Sequence, residues 1–476
     1  MRIKNLLQTA VNPRTVALVS SAIIPVFFGL WLMAPDSVTM QQAQNWSTVC
    51  VVASLVWMIL SGALVHRTFV HTYILFLGCT ALFIGGRFVA HAMGFDVSIL
   101  GMESSFFSVH RPDFVSIELT AQEGISLTLY IVTCLQAMHA GYMFSLWKAP
   151  APKVQPAQLP WAISLRIPAI ALAALSVIAF MVSFPDAYRA VHSNGYLSLY
   201  ETSAGDFTTR GSTAAQYGLL LALGLAFASG TRWLGWSILG LLAAYYTANL
   251  QLGIRGGIMG FALLCVWLFH VKIRRIDRIA LIAIPALLGG IILFAALGPR
   301  AAHFGGSTGL FLTWFIDNQG LTALYIHSAT QIDHYPALAY FHGFFPVTPI
   351  LATLQGITIP LDQLYFGQYL SKATLTGGAY EQGFGMGWSL LSDFHAYTLW
   401  VPGLYLVGAA AFGAAMARLV NATHPLVFGA HVMVFVKIML LPRTGLYSVT
   451  PFLLVYAAIV LACYIGSRLL QRQQKS

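Results

Sequence analysis

Along this chain, apolar runs alternate with short polar connections, and most runs are long enough, or nearly so, to cross a hydrocarbon layer. A helix rises 1.5 Å per residue, so about 20 apolar residues cover the roughly 30 Å of a bilayer core. The pattern predicts about twelve such helices, near residues 15–33, 49–65, 73–94, 124–147, 162–183, 215–230, 234–252, 256–271, 279–297, 398–418, 425–441 and 446–466. It lapses between 298 and 397, where prolines, glycines and aromatics interrupt it. A connection that long is functional or disordered by ordinary loop statistics, and its aromatic content argues for the first. Two apolar runs inside it, 309–326 and 340–354, are expected as surface or re-entrant helices, which are tolerated where protein or a water-filled cavity satisfies the backbone. No internal repeat and no low-complexity tract breaks the pattern.

Composition turns this pattern into a class. With 58% hydrophobic and 8% charged residues, the chain cannot cover a water-exposed globule, whose residues are about a quarter charged. It is expected to be an all-α polytopic membrane protein. The five cysteines, Cys50, Cys79, Cys134, Cys265 and Cys463, all lie in apolar runs, where they pack and offer no disulfide framework or metal spacing.

The formal charge of +10 does not call for nucleic acid, because the basic residues sit in short connections beside the runs. Arginine and lysine mark the cytoplasmic side. Placing the N-terminus inside gathers Arg2, Lys4, Arg14, Arg67, Lys148, Arg232, Lys272, Arg274, Arg275, Arg418 and Arg468 there, and leaves all acids but Asp277 outside. Both termini are then cytoplasmic. Met1–Met33 reads as an uncleaved first span, since no small-residue cleavage site follows it. Residues 1–297 would hold nine spans with outer loops at 95–123 and 184–214. Residues 298–397 would form a large, partly helical periplasmic loop, and 398–476 the last three spans and a cytoplasmic tail.

Five cations fall at outer ends of spans: Arg87, Arg255, Arg300, Lys437 and Arg443. A single one more often snorkels or pairs with a loop acid than binds a ligand. Three of them, however, sit in glycine- or proline-flanked turns: Gly253-Ile254-Arg255-Gly256-Gly257, Gly298-Pro299-Arg300 and Pro442-Arg443-Thr444-Gly445. Such turns can present a guanidinium and backbone N–H groups to an anion. Diphosphates on lipid carriers fit that chemistry, because arginine grips phosphate oxygens and can stabilise a departing diphosphate. Glu381 and Asp393 flank the run Gly383-Phe384-Gly385-Met386-Gly387-Trp388-Ser389, and either could deprotonate or orient an attacking hydroxyl. His303, His342 and His395 are alternative bases. Arg87 and His91 lie four apart, on one helix face, where a structural pairing with a loop acid is expected. Asp36, just after the first span, lacks a second acid beside it.

Taken in order from about Phe184, these features resemble the Wzy-type oligosaccharide repeat-unit polymerases and are similar to the enterobacterial common antigen polymerases. The resemblance rests on Gly195-Tyr196-Leu197-Ser198-Leu199-Tyr200, the Arg255 turn, a basic inner loop, Arg300, the run Gly385-Met386-Gly387-Trp388-Ser389 leading to Asp393, and Pro442-Arg443-Thr444-Gly445. It departs from the family in having Asp393 where glutamate is common, and it does not extend to residues 1–183. It implies a glycosyltransferase of the C-type (GT-C) kind that joins polyprenyl-diphosphate-linked oligosaccharide units at the periplasmic face, adding the growing chain to the non-reducing end of the next unit. Arg255, Arg300 and Arg443 would bind the diphosphates, and a chain-length regulator of the co-polymerase type would be a partner. The donor carries its own leaving group, so neither a cofactor nor a metal is expected. The rivals are an O-antigen ligase delivering glycan to lipid A-core and a transporter or flippase for lipid-linked oligosaccharides.

Overall fold

The computed structural model describes residues 11–33, 37–95, 99–101, 117–148, 159–194, 202–252, 256–277, 315–316, 318–345, 359–376, 380, 385–398, 401 and 403–473, with backbone alone at 160, 194 and 202–211. Among these residues the secondary structure is helical, apart from a single bridge between Gly101 and Glu118. The helices are α1 Pro13–Leu32, α2 Met40–His66, α3 Thr72–Phe83, α4 Gly86–Ala92, α5 Ala121–Lys148, α6 Arg166–Asn194, α7 Thr202–Ala228, α8 Arg232–Gln251 and α9 Gly256–Lys272. Beyond them come α10 Thr322–Thr330, α11 Ala337–His342, α12 Leu361–Leu364, α13 Phe366–Thr374, α14 Leu390–Ala396, α15 Leu404–Val420, α16 Pro425–Leu440 and α17 Thr450–Gln473.

Among the described residues six segments are both long and apolar enough to cross a membrane: Pro13–Leu32, Met40–His66, Ala121–Lys148, Trp161–Ser193, Pro425–Arg443 and Leu446–Gln473. Three shorter apolar helices, Ser212–Ala228, Gly256–Lys272 and Leu404–Val420, coincide with further expected spans. The protein is thus a multi-pass membrane protein. Leu18, Val26, Leu32, Ile167, Met181 and Val407 stand exposed on these helices, as lipid-facing side chains do.

Several expectations need correction. The expected span 73–94 is not straight: α3 and α4 meet at 72° across Gly85. Gly85 permits that bend, since a Cβ there would stand 2.5 Å from Leu55 and 2.8 Å from the Ala81 carbonyl. The expected outer loop 184–214 is largely helix, because α6 runs on to Asn194 and α7 begins at Thr202. An Asp186–Arg189 ion pair one turn apart supports the α6 extension. The helix at 49–65 starts earlier, at Met40, where Thr39 and Gln42 form a reciprocal capping box. Residues 232–251 form the expected helix but fall short of the spanning hydropathy, since Arg232, Tyr245, Tyr246, Asn249 and Gln251 dilute it. The expected span at 279–297 lies outside the described residues.

The chain forms two compact units. In the first, comprising Met1–Ala149, Val266–Arg418 and Met439–Leu446, helices α1 and α2 pack along α5. Helix α15 crosses α5 at two glycines. A Cβ at Gly141 would lie 2.0 Å from the Ala410 carbonyl oxygen, and one at Gly413 would lie 2.0 Å from that of Met138. Apolar side chains gain little from leaving lipid, so membrane helices hold together by this kind of close backbone approach. Gly413→Leu is therefore expected to destabilise the unit by about 1–3 kcal/mol of overpacking, read as a lower unfolding temperature in detergent; an unchanged temperature would contradict the crossing. In the second unit, comprising Pro150–Cys265, Leu419–Ile438 and Tyr447–Ser476, α7 packs with α6 and α8, and Gly224 meets Gly429 backbone to backbone in the same manner.

Candidate functional site

The glycine-rich run ends on a buried anchor within the first unit. Ser389 caps α14 by accepting the Leu391 N–H at 3.2 Å, which sets the helix start and turns Asp393 inward. Asp393 is 1% exposed. Its Oδ1 accepts the Trp388 indole N–H at 2.8 Å, and its Oδ2 accepts the backbone N–H of Leu446. One carboxylate thereby ties the glycine-rich run to the turn that follows α16. Trp388 is itself fixed: its ring stacks on Phe366 at 5.5 Å and meets Tyr335 edge-on at 5.7 Å. The Met386 N–H donates to Ser371 Oγ at 2.9 Å, which binds the run to α13.

Gly445 fills the gap between these groups. A Cβ there would stand 2.7 Å from Asp393 Oδ2 and 2.8 Å from Trp388 Cδ1. No side chain fits in that space.

The turn held this way carries Arg443. Residues Leu441–Arg443 form one 3₁₀ turn with Pro442 at its start, where the missing N–H costs nothing. Arg443 is exposed; its Nη1 donates to Gln319 Oε1 at 2.7 Å, and its guanidinium sits 5.9 Å from the Phe83 ring centroid. Among the described residues no carboxylate pairs with it. Its charge is therefore held in place by a neutral amide and an aromatic face, and remains available to an anion.

A second arginine lies behind the first. The turn before α10 presses on the start of α4, where a Cβ on Gly320 would fall 2.4 Å from the Arg87 nitrogen. Arg87 is buried and donates to the Gly101 carbonyl. One partner of Arg87 is thus a backbone carbonyl oxygen, reached from the short helix that follows the bend at Gly85. His91, on the same short helix, bonds the Asn45 side chain at 3.2 Å. Tyr325 lies between the pieces: burial pushes its phenol up, while Arg443 and Arg87 pull it back. A Cβ on Gly387 would touch its ring at 3.2 Å. Arg443, Gln319, Tyr325, Arg87 and the glycine-rich run thus form one cationic corner with a buried carboxylate behind it.

Of the sequence candidates, Asp393 and Arg443 are brought together through Leu446. Arg255, Arg300, Glu381, His303 and Asp36 lie outside the described residues. His342 is buried edge-on to Tyr365, and His395 is half-buried edge-on to Tyr130; burial lowers both imidazoles. Gln319, Tyr325 and the anchoring role of Trp388 were not legible in the sequence. Only the Gln319-Gly320 pair, a polar residue beside a glycine inside an apolar run, hints at a close approach there.

Burial pushes the Asp393 carboxyl up to about 7, against the downward pull of its bonds from Leu446 and Trp388. Asp393 lies on the seven-residue helix α14, clear of the spanning segments. The folded protein therefore holds this proton more tightly than the unfolded chain does, so the contribution to stability is full at low pH and is lost as pH rises through about 7. Wild type should lose more unfolding temperature than Asp393→Asn between pH 5 and pH 8. Parallel decline of the two proteins would contradict the buried carboxyl.

The family model for the O-antigen polysaccharide polymerase Wzy matches residues 16–474. No curated protein and no solved structure matches the chain.

Proposed function

The chain belongs to the O-antigen polysaccharide polymerase Wzy family, and from that premise we propose that it joins polyprenyl-diphosphate-linked oligosaccharide repeat units at the periplasmic face of the inner membrane. The growing glycan leaves its carrier diphosphate and passes to the non-reducing end of the next lipid-linked unit. The observation that carries this reading is Arg443, exposed and without a carboxylate partner among the described residues, on a turn whose position Asp393 fixes.

In the transfer, an acceptor hydroxyl oxygen bonds to the anomeric carbon as the bond from that carbon to the diphosphate oxygen breaks. Negative charge gathers on the leaving diphosphate, and Arg443 neutralises it there; Arg255 and Arg300 serve the diphosphates of donor and acceptor in the same way. The hydroxyl proton goes to a base, for which Glu381 is the candidate acid at the other end of the glycine-rich run. Asp393, with both oxygens engaged inside the protein, acts as a positioning residue. The glycosyltransferase is of the C-type kind, with about twelve spans, cytoplasmic termini and a co-polymerase partner that sets chain length.

Glycan analysis of cells separates this reading from ligation. Cells lacking the protein are expected to keep single repeat units on their acceptor and to lose long chains. Long carrier-linked chains that fail to reach lipid A-core would instead assign it to ligation.

A further inference from the structure

The second unit holds a cation that the site above does not use. Lys437 is the one lysine or arginine on α16, in the sequence Val432-Met433-Val434-Phe435-Val436-Lys437-Ile438-Met439-Leu440. It is half-buried, and its Nζ donates to Gln216 Oε1 at 3.1 Å. The ammonium also lies 4.7 Å from the Tyr217 ring centroid and 5.7 Å from that of Phe452. Gln216 is fixed in turn, since its amide donates to the Tyr246 hydroxyl at 3.0 Å. The start of α9 closes the same corner: a Cβ on Gly257 would lie 2.4 Å from Tyr246, and one on Gly260 would lie 3.0 Å from Val436.

An ammonium has three donors, and here one neutral amide oxygen and two ring faces receive it. A cation partly withdrawn from water costs free energy unless a negative charge accompanies it. Among the described residues no carboxylate pairs with Lys437. Residues 207–265, 419–438 and 447–476, the parts of this unit that carry Gln216, Tyr217, Tyr246, Phe452 and Lys437 itself, contain no aspartate or glutamate. The acids of this unit are Asp186, Glu201 and Asp206. Asp186 is paired with Arg189. Position 206 stands ten residues before Gln216 on α7, about 15 Å along its axis. Snorkelling would take the lysine out to water; instead an amide and two aromatic rings hold it, in a corner one side of which α9 closes by glycine contacts.

We propose that Lys437, with Gln216, Tyr217 and Phe452, is a binding site for a phosphate oxyanion carried on a lipid. The aromatic rings suit an ammonium that keeps its charge, and the amide orients it toward the ligand. Among lipid phosphates, the diphosphate of the polyprenyl carrier is the occupant the proposed function requires, and to that extent this inference rests on it. A phospholipid headgroup offers the same oxyanion, and the experiment separates the two.

The full chain in nanodiscs of zwitterionic lipid is titrated with polyprenyl diphosphate, and with polyprenol as the uncharged control, for wild type, Lys437→Met, Lys437→Arg and Arg443→Gln. Losing one charge-assisted contact should weaken diphosphate binding about tenfold in Lys437→Met, while Lys437→Arg retains most of it and polyprenol binding does not move. Competition by added phosphatidylglycerol that wild type shows and Lys437→Met lacks would assign the site to headgroups and overturn the carrier assignment. Unchanged diphosphate affinity in Lys437→Met, at a wild-type unfolding temperature, would overturn the site altogether. If Arg443→Gln still loses affinity in that case, the proposed function stands without this site; if neither variant changes binding, the proposed function falls with it. Should Lys437→Met unfold early, Gln216→Leu, which leaves the charge but removes its holder, is read in the same titration and is expected to lose affinity while Lys437→Arg keeps it.

Discussion

Arg443→Ala is expected to abolish long-chain polymer while leaving the protein in the membrane at wild-type level. The residue is exposed on a 3₁₀ turn, and among the described residues its one side-chain hydrogen bond is to Gln319, so its removal deletes charge without opening a cavity. Losing one preorganised donor to a departing oxyanion costs about 10²–10³ in rate. Arg443→Lys should recover part of that loss, because a point charge replaces the planar fork without its bidentate grip. Glycan length in cells carrying each variant, together with the membrane abundance of the protein, provides the check. Wild-type chain lengths in Arg443→Ala would remove the residue from the site.

The second large effect is expected at a residue with no chemistry of its own. Gly445→Ala places a methyl 2.7 Å from Asp393 Oδ2 and 2.8 Å from Trp388 Cδ1. Neither neighbour can yield cheaply: the carboxylate is held by two donors, and the indole is stacked among Phe366 and Tyr335. The strain falls on the turn from Arg443 to Leu446, and a displacement of about 1 Å in a positioning element can cost 10²-fold in rate. Polymer should therefore shorten or vanish although Arg443 is intact. Gly403→Ala is a useful control, since open space surrounds that position; its φ of 78° makes the change strained locally but remote from the corner. Normal polymer in Gly445→Ala would show that Asp393 does not position the turn.

These residues also show what the sequence could and could not reveal. Spans such as 13–32 and 121–148 were legible because hydropathy accumulates over many residues, and packing cannot reverse it. The 72° bend at Gly85 was not legible, since both of its arms are equally apolar and the cause is contact with Leu55, thirty residues earlier in the chain. Pro442 and Gly445 marked the Arg443 turn directly. Asp393 was visible as an acid after a glycine-rich run, but its burial was not, because burial depends on Trp388, Leu446 and the aromatic rings of α13 arriving from separate segments. Gln319 and Tyr325 lie in an interrupted apolar run whose pattern favours neither helix nor loop. Their proximity to Arg443 is a tertiary fact without a local signal.

In the proposed function this chain lengthens lipid-linked glycans through the Arg443 corner. Purified protein in nanodiscs, given a synthetic polyprenyl-diphosphate-linked repeat unit and no other enzyme, should produce a ladder of carrier-linked products that lengthens with time, and Arg443→Ala should leave the single unit unconverted. A single unit left intact by folded wild-type protein, or the same ladder from Arg443→Ala, would contradict it.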